Sequence, residues 1–177
     1  MNNPLMDTYR RANLTFVKGD GVWIETSEGE RYLDMGSGIA VNALGHANSE
    51  LIKALIVQSQ KLWHTSNLYS IPSQIQLAKK LVENTFAEKV FFTNSGTESI
   101  ECAIKVARKY QFEKGNELKT DIITFEGSFH GRSIAAISAS GSKKLTSGFA
   151  PLVAGFKSIP FEDMDALVGY SFERVGG

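Results

Sequence analysis

The feature that most constrains the fold is a change of rhythm in the middle of the chain. Residues 89–94, KVFFTN, form a short apolar run of strand length. Residues 96–113 then place Ile100, Ala103, Ile104, Ala107 and Tyr110 at helical spacing, and residues 121–126, DIITFE, form a second strand-like run. Strand, helix, strand is the pattern of a parallel α/β unit. Its crossover is right-handed, and its ligands bind at the carboxyl ends of the strands. The spacing therefore predicts an α/β fold and directs the search for chemistry to the turns after Asn94 and Glu126.

Upstream, Val22–Thr26 and Arg31–Met35 flank the turn-forming Ser27-Glu28-Gly29 and read as a hairpin. Two helical patterns follow the glycine-containing segment GSGIAVNALGH. Ser49 is expected to cap the first, which carries Ile52, Leu55, Ile56, Ser59, Leu62 and Trp63 along one face; the second runs from about Pro72 to Phe86. The chain has no repeat at solenoid periods, no Gly/Ser or Pro-rich linker and no low-complexity tract.

The first turn, Thr93-Asn94-Ser95-Gly96-Thr97-Glu98, leads from a strand directly into a helix. Free N–H groups at a helix start, with the Ser95 and Thr97 hydroxyls, make a cradle for a phosphate, and Gly96 lets an anion approach the backbone. The alternative is a capping box in which Ser95 and Glu98 serve the helix alone. In the second turn, Gly127-Ser128-Phe129-His130-Gly131-Arg132, Phe129 offers a flat face to a heteroaromatic ring and Arg132 a bidentate grip on a carboxylate. A buried Phe, a solvated Arg and a structural His130 are the competing readings of the same residues.

Composition excludes several functions. Nineteen Lys and Arg balance 19 Asp and Glu, so there is no basic field for nucleic acid. The amino terminus lacks the pattern of a secretory signal, and no apolar run approaches the roughly 18 residues of a membrane span. A single cysteine, Cys102, suits a reducing cytoplasm. No G-x-x-x-x-G-K-[ST] or G-x-S-x-G occurs, and Gly36-Ser37-Gly38 lacks the third glycine of a dinucleotide fingerprint, having Val41 there. His46, His64 and His130 do not sit at metal-ligand offsets, so no metal is expected.

LDMGSGIAVNALGH, KLWHTSNLY, VFFTNSGTESIECAIKVARKY and IITFEGSFHGR occur in this order. Together they resemble the acetylornithine aminotransferases of the class III pyridoxal-phosphate family, over about residues 8–166. The resemblance implies a pyridoxal-phosphate transferase fold of type I: a mainly parallel sheet flanked by helices, preceded by a hairpin and helix segment. Residues 1–47 would be that N-terminal segment, and residues 48–177 the first part of the large cofactor-binding domain. Ser95, Gly96 and Thr97 match the turn that holds the pyridoxal 5'-phosphate phosphate, and Phe129 matches the residue stacked on its ring, with His130 beside it as a further cofactor contact. Arg132 matches the arginine that receives a substrate carboxylate. Ile39, in the Gly36–Asn42 stretch, is expected near the substrate, and Ser66, Asn67 and Tyr69 near a dimer contact.

The implied reaction moves an amino group from N-acetylornithine to 2-oxoglutarate, giving glutamate, in arginine biosynthesis. Ornithine, 4-aminobutyrate and succinyl-diaminopimelate are alternative donors. A cytoplasmic homodimer is expected, with neither nucleic acid nor membrane as partner. Two departures stand out. Asn48-Ser49 replaces the usual His-Pro before the first long helix. The family's Schiff-base lysine and the aspartate that pairs with the pyridine nitrogen lie beyond the matched part, so no catalytic residue is assigned among the lysines from Lys18 to Lys157. PFEDMDAL still follows the family, but VGYSFERVGG does not. The expectation is a truncated amino-terminal part, inactive by itself, with an unpaired sheet edge and an uncovered apolar face. The competing function is an inactive remnant with at most weak phosphate binding.

Overall fold

The computed structural model describes residues 4–172. The chain is α/β and divides into two compact units, Met1–Leu77 and Ala78–Gly177. The division expected between residues 47 and 48 falls inside the first of them.

In the first unit the expected hairpin is present as β2 (Trp23–Thr26) and β3 (Arg31–Leu33). A strand that the sequence did not announce, β1 (Phe16–Asp20), pairs antiparallel with β2. Its FVKGD sequence has too little alternation to reveal it, and the register is interrupted between Phe16 and Lys18. The meander is held by cross-strand side chains: the Phe16 and Tyr32 rings meet edge to face at 5.6 Å, and the Arg31 guanidinium lies 5.0 Å from the Trp23 ring. Thr26, 1% exposed, closes the hairpin end by accepting the Glu30 N–H on its hydroxyl.

A single turn, α1 (Ser37–Ala40), follows, then α2 (Ser49–Ser59). The cap of α2 is Asn48 rather than the expected Ser49. Asn48 has non-helical backbone angles, and its side chain accepts from the Glu50 and Leu51 N–H groups at 3.1 and 3.2 Å. Ser49 is the first helical residue, one position too late to cap. The next helix, α3 (Pro72–Glu83), stops short of the expected Phe86. There the side chains of Asn84 and Thr85 donate back to the Lys80 and Leu81 carbonyls at 2.7 and 2.8 Å, taking the place of the next helical N–H groups. Neither α2 nor α3 contributes a buried residue, and Leu55 and Trp63 are 70% and 86% exposed.

In the second unit α4 (Gly96–Glu113) and β4 (Ile122–Phe125) lie where the periodicity placed them. The expected strand at 89–94 does not form: those residues pair with no strand among the described residues, and Phe91 is 73% exposed. Apolar character permits a strand, but only a hydrogen-bonded neighbour makes one. The parallel partner of β4 is instead β5 (Phe156–Ile159), in register from Ile122↔Phe156 to Phe125↔Ile159. The connection between them carries α5 (Ile134–Ala139) and α6 (Lys143–Thr146), and α7 (Met164–Phe172) follows. The last five residues of VGYSFERVGG lie outside the described residues.

The core of this unit is small. Ile104 of α4, Ala136, Ile137 and Ala139 of α5, and Ile159 of β5 are its buried apolar residues. Arg108 ties α4 to the segment leading into β5 by donating to the Ala154 carbonyl at 2.6 Å and lying 5.7 Å from the Phe156 ring. Among the described residues no helix is long and apolar enough to cross a membrane.

The two readings of the α2 start make different predictions. Asn48→Ala should cost about 1 kcal/mol and raise amide exchange through the first turn of α2. Ser49→Ala should change stability by less than about 0.5 kcal/mol. Urea unfolding with site-resolved exchange measures both.

Candidate functional site

The N-terminus of α4 is a reciprocally capped helix start. Ser95 is extended, at φ −153° and ψ 161°, and its hydroxyl accepts the Glu98 N–H at 3.2 Å. Glu98 reaches back to accept the Asn94 N–H at 2.6 Å, and the Thr93 and Ser99 hydroxyls meet at 2.5 Å beneath the turn. This is the capping box that the sequence allowed, with the glutamate bonded one residue earlier than usual. Capping uses the Glu98 N–H and leaves the N–H groups of Gly96 and Thr97, which have no acceptor within the helix. A methyl group at Gly96 would meet no atom within 4 Å. The fold itself therefore does not require glycine there, and a helix start with two such N–H groups can receive an anion.

The second turn is brought to the first by backbone proximity. Gly131, buried at φ +116°, packs so tightly on Thr97 that a Cβ would lie 2.9 Å from both its Cβ and Cγ2. Two residues on, Ser133 caps α5 by accepting the Ala136 N–H and donates to Glu101 of α4 at 2.5 Å. The two turns singled out in the sequence thus share one locus. Phe129 on this loop is 65% exposed, so the buried-Phe reading fails, and Arg132 is exposed as well. His130 is half-buried. The Ser128 hydroxyl gives its proton to the Phe125 carbonyl at 2.6 Å, which makes His130 Nε2 the donor in the 2.9 Å contact with Ser128 Oγ. The loop thus orients the imidazole through its Nε2 edge. Glu101 and Ser133 escaped the sequence reading because each looks like an ordinary helix residue until the fold places them together.

Ile39 belongs to the first unit. It is 94% exposed and stands in α1, where Ser37, Gly38, Ile39 and Ala40 have φ of 45°, 62°, 62° and 62°. Left-handed backbone costs an L-residue roughly 1–2 kcal/mol, and three of these four carry side chains. Asp34 holds the entry to the turn. Its Oδ1 accepts the Gly36 and Ser37 N–H groups at 3.1 and 2.8 Å, and its Oδ2 lies 2.8 Å from His46 Nε2. The His46 hydrogen bond, followed by the Ser37 N–H, keeps the Asp34 carboxyl below the ordinary aspartate range. In the same unit Ser66 has φ 66°, its N–H donates to His64 Nε2 at 3.2 Å, and Tyr69 is 69% exposed. Neither Asp34 nor His46 was marked in the sequence as part of a site; the signal was an Asp two residues before a Gly-Ser-Gly, which suits an Asx-type turn.

Two glycines should behave oppositely. Gly131→Ala places a methyl group into Thr97 at a positive φ and should destabilise the second unit by about 2 kcal/mol or more. Gly96→Ala faces open space at the first helical position and should be neutral or stabilising by up to about 1 kcal/mol. Urea unfolding of the two variants against the parent checks the sign.

The family model for aminotransferase class-III matches residues 6–171. The acetylornithine aminotransferase of Agrobacterium fabrum (strain C58 / ATCC 33970) is 57% identical over 164 residues, which are 93% of this chain and 41% of that protein. That of Caldanaerobacter subterraneus subsp. tengcongensis is 50% identical over 92% of this chain and 42% of its own length. Among solved structures, an ornithine aminotransferase from Toxoplasma gondii, described with partial occupancy of PLP at its active site, superposes with a TM-score of 0.88 at 26% identity. It covers 94% of this chain and 40% of that one. An omega-transaminase from Thermomicrobium roseum gives a TM-score of 0.82 at 32% identity, covering 99% of this chain and 44% of its own. The chain thus spans about two fifths of the length of the relatives it matches. The fold is that of type I pyridoxal-phosphate-dependent enzymes. With the matched model spanning residues 6–171, nearly the whole chain, this chain belongs to the class III aminotransferases.

Proposed function

We propose that this chain supplies the phosphate-holding, ring-stacking and carboxylate-binding parts of an N-acetylornithine:2-oxoglutarate aminotransferase of arginine biosynthesis. The observation that carries the reading is the seat of Gly131 on Thr97, which puts the Phe129–Arg132 loop against the start of α4. The high identity to relatives named acetylornithine aminotransferase favours that donor over ornithine, 4-aminobutyrate or succinyl-diaminopimelate.

The residues present fit pyridoxal phosphate. The open approach at Gly96 leaves room for a phosphate on the Gly96 and Thr97 N–H groups, and the Ser95 and Thr97 hydroxyls flank it. The exposed Phe129 ring offers the apolar face that a pyridine ring needs, and His130, fixed through Ser128, stands beside it. Arg132 provides a planar fork for the substrate carboxylate, and Ile39 an apolar contact for the substrate. Pyridoxal phosphate, when bound, supplies an electron sink for amino-group transfer. The chain's own residues bind and orient; neither 93–98 nor 127–132 contains a lysine that could anchor the cofactor.

We further propose that residues 1–47 act as the N-terminal segment and 48–177 as the first part of the large cofactor-binding domain of a cytoplasmic homodimer, with Ser66, Asn67 and Tyr69 near the dimer contact. In this reading the polypeptide by itself contains no Schiff-base lysine and is catalytically inactive.

The roles separate in a complete enzyme that carries these 177 residues as its amino-terminal part. Gly96→Val should weaken pyridoxal phosphate retention by about tenfold or more, a loss of about 1.4 kcal/mol, without unfolding the protein. Arg132→Lys should leave the cofactor bound and raise KM for the carboxylate substrate about tenfold. Unchanged cofactor affinity in the first variant reduces the turn to a helix cap; cofactor loss with unchanged KM in the second removes Arg132 from the substrate. The 177-residue chain, purified and assayed with N-acetylornithine and 2-oxoglutarate beside a full-length homologue, should show no turnover. Turnover that disappears on substitution of one of its lysines would place the anchoring lysine within this chain.

A further inference from the structure

The left-handed turn at Ser37–Ala40 is not explained by its own sequence. Three of its four residues carry side chains, and Ile39 is β-branched, a poor residue for positive φ. Its side chain is 94% exposed, so packing does not compensate for the strained backbone. Such backbone persists only when its surroundings over-determine it. The Ile39 and Ala40 N–H groups donate to the Gly36 carbonyl and the Asn42 N–H to that of Ser37, and the side-chain support comes from Asp34 and His46. One carboxylate oxygen of Asp34 takes the Gly36 and Ser37 N–H groups and so fixes the direction in which the chain enters the turn. The other takes His46 Nε2.

His46 is itself immobilised. Its backbone N–H and carbonyl exchange hydrogen bonds with Gly21 at 2.7 and 2.9 Å. Its ring lies so close to Gly19 that a Cβ there would be 2.5 Å from Cγ. The β1–β2 meander therefore holds His46, His46 holds Asp34, and Asp34 holds the turn. Asp34 and His46 side chains are 15% and 24% exposed, so the pair sits largely under the chain it supports.

We propose that Asp34 and His46 are positioning residues that clamp Ser37–Ala40 in a left-handed turn and so fix where Ile39 meets the substrate. This rests on the aminotransferase reading only in assigning Ile39 to the substrate; the clamp is a property of the first unit. Neither residue touches substrate or cofactor. They act through the turn, on the strength of substrate binding rather than on the chemical step.

The test uses the complete enzyme that carries this chain, with four readouts: amide exchange at Gly36 and Ser37, bound pyridoxal phosphate, KM and kcat. Asp34→Ala should raise exchange at both amides at least tenfold and KM about tenfold, with cofactor content unchanged and kcat within about twofold. Asp34→Asn, which keeps the acceptor, should restore most of the protection and of the KM. In an Ile39→Gly background, Asp34→Ala should shift KM by less than twofold, since no side chain is left to position.

Unchanged exchange in Asp34→Ala overturns the clamp. Raised exchange with unchanged KM, or an equal KM rise in the Ile39→Gly background, overturns the positioning role. Should Asp34→Ala fail to fold, His46→Ala, which removes the donor to Asp34 Oδ2, carries the same comparisons. If the parent enzyme loads no pyridoxal phosphate, the aminotransferase reading falls, and exchange at Gly36 and Ser37 decides the clamp alone.

Discussion

An α-helix begins with N–H groups that its own backbone cannot satisfy, and the start of α4 is the point from which the second unit is organised. Ser95 and Glu98 satisfy part of that demand, and Thr93 and Ser99 close the turn beneath them. The N–H groups of Gly96 and Thr97 have no acceptor within the helix, and a side chain at Gly96 would meet open space. The same Thr97 receives Gly131, and Glu101 one turn further along receives Ser133. One helix terminus therefore receives the loop that carries an aromatic ring and a guanidinium.

In the first unit a different device does comparable work. There the backbone at Ser37–Ala40 is driven into a conformation that its residues do not favour, and an aspartate with two acceptor oxygens supports it from below. One oxygen serves the turn and the other a histidine locked onto the meander. A helix N-terminus displays backbone groups at no conformational cost, whereas a left-handed turn displays a side chain at a cost its neighbours must offset. The first presents backbone N–H groups, the second an isoleucine.

Large apolar side chains lie uncovered in both units, Leu55 and Trp63 of the first and Phe86 and Phe91 of the second among them. The described parallel sheet has two strands, and among the described residues 89–94 have strand character without a strand beside them. The chain spans about two fifths of the length of the relatives it matches.

Local chemistry was legible in the sequence wherever a segment satisfies itself. The helix at 96–113, the Ser95–Glu98 box and the β2–β3 hairpin need only near neighbours, so composition and spacing located them. Ser95, Gly96, Thr97, Phe129 and Arg132 could be singled out for the same reason, each being an odd residue for the bend it occupies. What depends on a distant partner was not legible. Residues 89–94 look like a strand but pair with no strand among the described residues; β5 looks like nothing but pairs with β4; and Asn48, not Ser49, caps α2 because the chain direction entering the helix decides which side chain faces its N–H groups. The meeting of Gly131 with Thr97, the Glu101–Ser133 bond and the Asp34–His46 clamp join residues separated by 12 to 34 positions. Sequence fixes which groups a chain can offer, but hydrogen bonds and steric contacts act over a few ångströms, and only the tertiary fold brings those partners within that range.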